Sequence, residues 1–136
     1  MRTEPTTVLR EIYEIMNARD LDAVDHLYHP EVTLNGQSSS PAEIKAYCGA
    51  LLDAFEDLSL TVEQIVADGA WVSARVVARG THSSPLGELP ATGKKVEISQ
   101  HDLARVADGR VVECFTVFDR YGMLQQLGAL PGSNGG

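Results

Sequence analysis

Asp102 is the residue of this chain whose type and setting best suit it to chemistry. It interrupts an otherwise apolar alternation of Val96, Ile98, Ala104 and Val106 within Lys94–Tyr121, KKVEISQHDLARVADGRVVECFTVFDRY. A carboxyl group in the middle of such a strand is costly to bury unless it is hydrogen-bonded or functional. Desolvation disfavours the charged form of a carboxyl in a dry pocket, and that equips it to donate or shuttle a proton near neutral pH. Gln100 and Thr116 lie in the same segment and offer hydrogen bonds to an enolate forming beside such a group. Asp119 is a second candidate carboxylate. It stands just before a last helical stretch, where its simplest use is as an N-cap. Proton transfer plus placed donors is the equipment of general acid/base chemistry.

The element that must position these groups is a hairpin. Apolar and polar residues alternate through both halves of Lys94–Tyr121, the period-two mark of a sheet with two different faces. Asp108-Gly109 is the turn, because glycine accepts a positive φ without steric penalty. Two registers are open. A three-residue bulged loop, Ala107-Asp108-Gly109, sets Val106 opposite Arg110 and puts Asp102 on one face with Gln100, Cys114, Thr116 and Phe118. A two-residue turn puts Glu113, Phe115 and Val117 on that face instead. In either register His101 alternates with Asp102 and faces the other way.

The rest of the chain supplies helices first and strands later. Glu4–Arg19 reads as a helix with Val8, Leu9, Ile12, Ile15 and Met16 on one stripe, started by Thr3 or Thr6. Leu21–Tyr28 reads as a second short helix, capped by Asp20 and stopped by Pro30. A short strand, Glu31–Asn35, and a polar loop, Gly36–Ser40, follow. Pro41–Phe55 reads as a third helix with Ser40 as N-cap and Ile44, Tyr47, Cys48, Leu51, Leu52 and Phe55 buried. Leu58–Ala67 and Trp71–Thr81 read as strands around an Asp68-Gly69 turn. His82–Gly93, rich in Ser, Pro and Gly, is a loop at a pocket rim, and His82 is expected to be exposed there. Trp71 and Tyr47 are expected to fill core. Gly122–Leu127 is a last helical turn or two. The order predicts an α+β fold in which three N-terminal helices cover one face of a curved mixed or antiparallel sheet. Such a cone has an apolar interior suited to a small ligand. One domain, residues 1–130, and a flexible tail, 131–136, account for the chain.

Composition narrows the partners. With 136 residues, 43% of them hydrophobic, and a mean hydropathy of −0.10, this is a globular domain able to bury a core without staples. The net charge of −8 has its acidic residues dispersed, which argues against nucleic acid and anionic membranes. Neither a signal peptide nor a membrane span is evident. Cys48 and Cys114 have no metal-ligand spacing and read as free thiols of a cytoplasmic protein. His26 and His29, three apart at a helix end, lack a third ligand, so no metal site is expected. Phosphate-binding and dinucleotide fingerprints are likewise missing from the sequence, and no cofactor is expected.

Several segments carry a family resemblance. They are Leu27-Tyr28-His29-Pro30-Glu31-Val32, Phe55-Glu56-Asp57-Leu58, Arg79-Gly80-Thr81-His82, Pro90-Ala91-Thr92-Gly93, Arg105–Glu113 and Asp119–Gly128. They span nearly the whole chain, which resembles the SnoaL-like polyketide cyclases, of the nuclear-transport-factor-like cone fold, a cystatin-like α+β barrel. The resemblance implies a cofactor-free intramolecular aldol closure with an acidic residue as general acid and base. Relatives read Glu-His-Trp-Asp-x-x-Asp along the last strand, where this chain has Glu113-Cys114-Phe115-Thr116-Val117-Phe118-Asp119. A threonine hydroxyl cannot replace a carboxylate as proton acceptor, so the role passes to Asp102 or Asp119. Ketosteroid isomerases share the fold. Their oxyanion-site Asp falls near Asp102, which favours the bulged register, and their first-helix Tyr falls at Ile12, with Tyr13 on a different face. Their base falls near Asn35 or Gly36, where no carboxylate stands. The site set is therefore Asp102 and Asp119 for catalysis, with Ile12, Met16, Gln100, Cys114, Thr116 and Phe118 around a small apolar carbonyl compound. Two rival readings stay open: a non-catalytic binding protein with the same pocket, and a degenerate dimerisation module. In the bulged register Val111, Phe115 and Val117 form an apolar outer patch, from which a homodimer is expected.

Overall fold

The computed structural model describes residues 4–130. Helix α1 (Pro5–Ala18) opens the chain, followed by a 3-10 turn (Leu21–Ala23) and a single helical turn, α2 (Val24–Leu27). Strands β1 (Tyr28–Leu34) and β2 (Gln37–Ser38) precede α3 (Pro41–Ala54). Four strands complete the sheet: β3 (Ser59–Asp68), β4 (Trp71–Thr81), β5 (Lys95–Ala107) and β6 (Arg110–Phe118). Helix α4 (Arg120–Leu127) closes the described chain. The six strands form one open sheet in the order β2-β1-β6-β5-β4-β3, antiparallel except where β1 runs parallel to β6. This is the expected α+β cone with a mixed sheet. The expected tail, residues 131–136, lies outside the described residues.

The helices cover the concave face with two apolar clusters. Val8, Leu9, Ile12, Tyr13 and Ile15 of α1 pack on Val72, Ala74 and Val76 of β4, Ala104 and Val106 of β5, and Val111 and Cys114 of β6. Met16, Leu52, Ala54, Phe55 and Leu58 pack on Ala78, Val96, Ile98, Met123 and Leu127. Val8, Val24, Val32, Val72, Val76 and Val111 are fully buried, each worth roughly 1.5–3 kcal/mol over exposure. Gly80 lets β4 pass close to the end of α3: a Cβ there would meet the Phe55 Cβ at 3.2 Å, tight enough that one of the two would have to shift by a few tenths of an ångström.

Side-chain amides close two lengths of bare strand edge. Asn17 donates to Leu60 O at 2.9 Å and accepts from Leu60 N at 2.8 Å, filling the outer side of β3. Gln126 likewise donates to Glu97 O at 2.9 Å and accepts from Glu97 N at 2.7 Å, where β5 runs on past the end of β6.

Several local expectations need correction. The second helix is split and ends at Leu27. Tyr28 is already strand, and Pro30 lies inside β1, at the irregularity in its pairing with β6, where a missing N–H is tolerated. Asp20 makes no cap bond, and Thr6 lies inside α1, whose N-cap position is Glu4. Ser40 does cap α3, accepting from Glu43 N at 3.2 Å. The polar stretch after β1 is itself a tight hairpin, with Asn35 at φ 51° and Gly36 at φ 81° leading into β2.

The main hairpin corrects the expected register in a telling way. Ala107 faces Arg110 across a two-residue turn with Asp108 at φ 52° and Gly109 at φ 77°, the form that suits twisted strands. The extra residue lies further along: Val106 faces Val111 and Arg105 faces Glu113, so Val112 is bulged out of the ladder. The bulge restores the parity that the three-residue loop would have given. Asp102 therefore faces Thr116 and shares the inner face with Gln100, Cys114 and Phe118. Val111 precedes the bulge, so it turns into the core rather than joining Phe115 and Val117 outside. Trp71 also lies outside, 36% exposed, with the Arg105 guanidinium 5.9 Å from its ring centroid. His82, expected exposed, is completely buried against the Phe55 ring. Its Nδ1 accepts from Thr92 N at 3.2 Å, which ties the 82–93 loop down on itself.

Candidate functional site

Where the two core clusters meet, side chains of α1, α3, α4 and the concave sheet leave a cavity of about 120 Å³. Ile12 and Met16 of α1, Gln100 and Asp102 of β5, and Cys114, Thr116 and Phe118 of β6 all face it. The hairpin bulge puts the β5 and β6 groups on the same side, and the α1 stripe supplies the opposing wall. Asp119 does not line it. That carboxylate is exposed and accepts from Gly122 N at 2.8 Å as the N-cap of α4. Helix α3 contributes Tyr47, Cys48 and Leu51. These residues were expected in core, but they are half-buried or, for Tyr47, 44% exposed, because their partner is the cavity and its mouth.

Asp102 is 6% exposed and held by two donors. The Tyr13 hydroxyl donates to Asp102 Oδ2 at 2.5 Å, and Gln100 Nε2 donates to the same oxygen at 2.9 Å. Hydrogen bonds to a carboxylate are stronger than neutral ones, and two of them fix the carboxyl plane. Among the described residues Oδ1 carries no protein hydrogen bond. Gln100 therefore orients Asp102, a use different from the expected donation to an enolate. Thr116 is placed by its backbone, whose N–H donates to Asn35 Oδ1 at 2.9 Å, while Asn35 N donates to Cys114 O at 2.8 Å.

Tyr13 is the residue that sequence reasoning missed. It was set on a different face from Ile12, yet α1 buries both. Tyr13 follows Leu9 by four residues and precedes Met16 by three, a spacing that places it on the wide apolar stripe. Burial chiefly, and then the Asp102 charge, push its phenol well above the usual range, so it remains an O–H donor. Burial first and the Asp102 charge second push the Cys48 thiol up to about 11 and the Cys114 thiol up to about 12. Both thiols are free and stay protonated near neutral pH.

Among the described residues the lining carries neither Lys, Arg nor His, and it includes Asp102 with both of its hydrogen-bond donors, Tyr13 and Gln100. Among the described residues no cluster of three or more His, Cys, Asp or Glu side chains could hold a metal ion, and no helix is long and apolar enough to cross a membrane. An isolated carboxyl held by a phenol and an amide in an apolar void can move a proton to or from a carbon acid bound beside it.

The chain has recognisable relatives among known proteins. The chain is 29% identical over 128 residues to the aklanonic acid methyl ester cyclase DnrD of Streptomyces peucetius, covering 89% of this chain and 88% of that protein. It is 30% identical over 118 residues to the nogalonic acid methyl ester cyclase of Streptomyces nogalater, covering 82% and 88%. Among solved structures it is similar to wild-type IdmH of Streptomyces antibioticus, a candidate polyketide cyclase, with TM-score 0.84, 31% identity and coverage of 93% and 99%. AclR of Streptomyces galilaeus, a candidate hydroxylase, superposes with TM-score 0.83 at 27% identity, covering 93% and 97%. The model of the SnoaL-like polyketide cyclase family matches residues 6–127, which takes in every element from α1 to α4 save the first residue of α1. With residues 6–127 matched by that model and its architecture shared with those structures, the chain belongs to the SnoaL-like polyketide cyclases.

Proposed function

We propose that the protein is a cofactor-independent cyclase or isomerase that acts through an enolate on a neutral polyketide-type or polycyclic carbonyl compound. The observation that carries this reading is the Asp102 carboxyl, buried in an apolar cavity and held through Oδ2 with Oδ1 left open. In the proposed reaction Oδ1 takes a proton from the carbon next to a carbonyl. In ring closure that carbon bonds to a second carbonyl carbon of the same molecule, whose oxygen then receives the proton from Asp102. No atom is gained or lost and no electron is transferred. Tyr13 and Gln100 hold the carboxyl in place, and Thr116, which lines the same space, offers its hydroxyl as a donor to the ligand. We take the working form to be a homodimer paired through the outer face of the sheet.

Aklanonic acid methyl ester and nogalonic acid methyl ester, named for the relatives, are the first compounds to try. Closure is an isomerisation, so chromatography at constant mass reports it. Asp102→Asn keeps the shape and removes the proton acceptor, and turnover should fall by about two to four orders of magnitude. Wild-type turnover matched by Asp102→Asn would end the acid/base reading. A second reading, ligand storage without chemistry, rests on the otherwise apolar lining. Tight binding of these esters with no isomerisation by the wild type would favour it.

A further inference from the structure

Strand β1 ends at Leu34, opposite Cys114, while β6 runs on to Phe118. Past that point, among the described residues, no strand flanks β6 on the side away from β5. In a regular parallel ladder the next residue of β1 would donate its N–H to the Cys114 carbonyl and accept the Thr116 N–H on its own backbone carbonyl. Asn35 makes both bonds, but by different means. Its N–H donates to Cys114 O at 2.8 Å, the ladder bond. The Thr116 N–H donates at 2.9 Å to the side-chain Oδ1 instead. The cause is the turn between Leu34 and Gln37, which sets Asn35 at φ 51° and Gly36 at φ 81°. That left-handed backbone takes the Asn35 carbonyl off the ladder, and the side-chain carbonyl stands in for it. The turn itself asks only for a residue that tolerates positive φ, which glycine does as well as asparagine. The bond to Thr116 is therefore an addition that the turn does not require.

What this bond holds is the residue paired with the base. Thr116 lies directly opposite Asp102, and both line the cavity. Directly opposed side chains stand with Cβ atoms about 4.5–5.5 Å apart, a spacing that lets a carboxyl and a hydroxyl reach neighbouring atoms of one ligand. Thr116 is half-buried, and among the described residues its hydroxyl has no protein partner, so it is free for a ligand. On one side its strand is held by β5, and on the other by Asn35 alone. We propose that Asn35 is a positioning residue, whose side-chain carbonyl fixes Thr116 so that the Thr116 hydroxyl meets the ligand's carbonyl oxygen beside Asp102. This rests on the enolate reading above and names the residue that sets one of its donors. Asn35 itself touches neither the ligand nor the proton that Asp102 moves.

The test is a double-mutant cycle. Asn35→Gly keeps the positive φ and removes Oδ1, whereas Thr116→Val keeps the backbone N–H and the side-chain shape and removes the hydroxyl. Amide exchange read by NMR comes first: the Thr116 N–H should exchange faster in Asn35→Gly than in the wild type, with the Val76 amide of the sheet centre unchanged. Turnover of nogalonic acid methyl ester is then compared in the wild type, the two single variants and the double variant. Thr116→Val should lower kcat/KM about 10²-fold, the usual loss for one donor to a developing oxyanion. Asn35→Gly should lower it at least about tenfold, the scale of loss when a reacting group is displaced. Added to Thr116→Val, Asn35→Gly should cost nothing further, because the group it positions is already gone. Should the wild type bind the ester without converting it, the dissociation constant carries the same cycle. An equal fall in both backgrounds would mean that Asn35 merely supports the fold, and it overturns the proposal. Unchanged Thr116 exchange in Asn35→Gly overturns it as well, and so does failure of the wild type to bind the ester. Asp102→Asn keeps this apart from the parent reading. Loss of turnover there, with an equal fall in both backgrounds, would remove Asn35 and leave the enolate chemistry intact. The expected cycle with turnover indifferent to Asp102→Asn would do the reverse.

Discussion

The two faces of the β5–β6 hairpin depart from ordinary burial in opposite senses. Inside, a carboxyl is 6% exposed among apolar side chains, while outside, Leu103, Phe115 and Val117 are 40%, 39% and 67% exposed to water. Both arrangements are unfavourable to an isolated folded chain, and both come from the same alternation of the same two strands. Asp102 is reconciled with its surroundings by Tyr13 and Gln100 within the chain. The outer residues have no comparable cover, and only a partner outside the chain would bury them. The inner face is therefore where this protein is expected to meet a small molecule, and the outer face where it is expected to meet a second copy.

The sharpest way to break this comparison is to put one substitution on both faces of one strand. Val111→Asp places an unpaired carboxylate in the core beside Val72 and Val106, with no donors of the kind that serve Asp102. The penalty of several kcal/mol approaches the whole stability of a domain, so the variant should be unfolded by circular dichroism. Val117→Asp should fold with an unchanged melting temperature at low concentration. A folded Val111→Asp would mean that the Val112 bulge does not turn that side chain inward.

Thiol chemistry sharpens the inner half. A free cysteine has a pKa near 8.5, whereas Cys48 is pushed up to about 11 and Cys114 to about 12. At pH 8, alkylation by iodoacetamide should be about two orders of magnitude slower in the native protein than in urea. The same shifts fix the sign of a pH effect. In the fold these groups hold their protons more tightly, so their contribution to stability is complete below the unfolded value. It is lost as pH rises from about 8.5 towards 12, with Tyr13 and Tyr28 adding to the loss above about 10. Urea midpoints at pH 7, 9 and 10.5 should fall in that order, and less steeply in Cys48→Ser/Cys114→Ser. A flat profile would show that the unfolded chain does not titrate as assumed.

The outer half is tested by light scattering. The wild type should be dimeric at high micromolar concentration, and Phe115→Lys/Val117→Glu should be monomeric with the cavity unchanged. A monomeric wild type would leave the exposed patch without the proposed partner. The smallest effect belongs to His101→Ser. His101 is next to Asp102 in sequence but on the outer side, and its replacement should alter stability by no more than about 0.5 kcal/mol and leave turnover as it was.

These faces were largely legible because a strand has a period of two and Asp102 is conspicuous among Val96, Ile98, Ala104 and Val106. The source of the parity was not. An Asp-Gly turn fits more than one loop length, and nothing local in Arg110-Val111-Val112-Glu113 marks Val112 as the bulged residue. Val111 was misplaced as a result. Helix stripes are wide enough to hold both Ile12 and Tyr13, but which one reaches a given strand depends on how α1 crosses the sheet. His82 was misread for a related reason. A Ser/Pro/Gly-rich loop looks solvent-exposed, and only the contact with Phe55 at the end of α3 shows that the loop begins by filling the core.

The amides of Asn17 and Gln126 bear on how this protein survives at high concentration. A cone that admits a ligand cannot close its sheet into a barrel, so it keeps edges where another chain could add a strand and begin a fibre. At Leu60 and Glu97 the hydrogen-bonding places are already taken by side chains of the same molecule. At these two points one asparagine and one glutamine, neither of which touches the cavity, hold the places that an added strand would need.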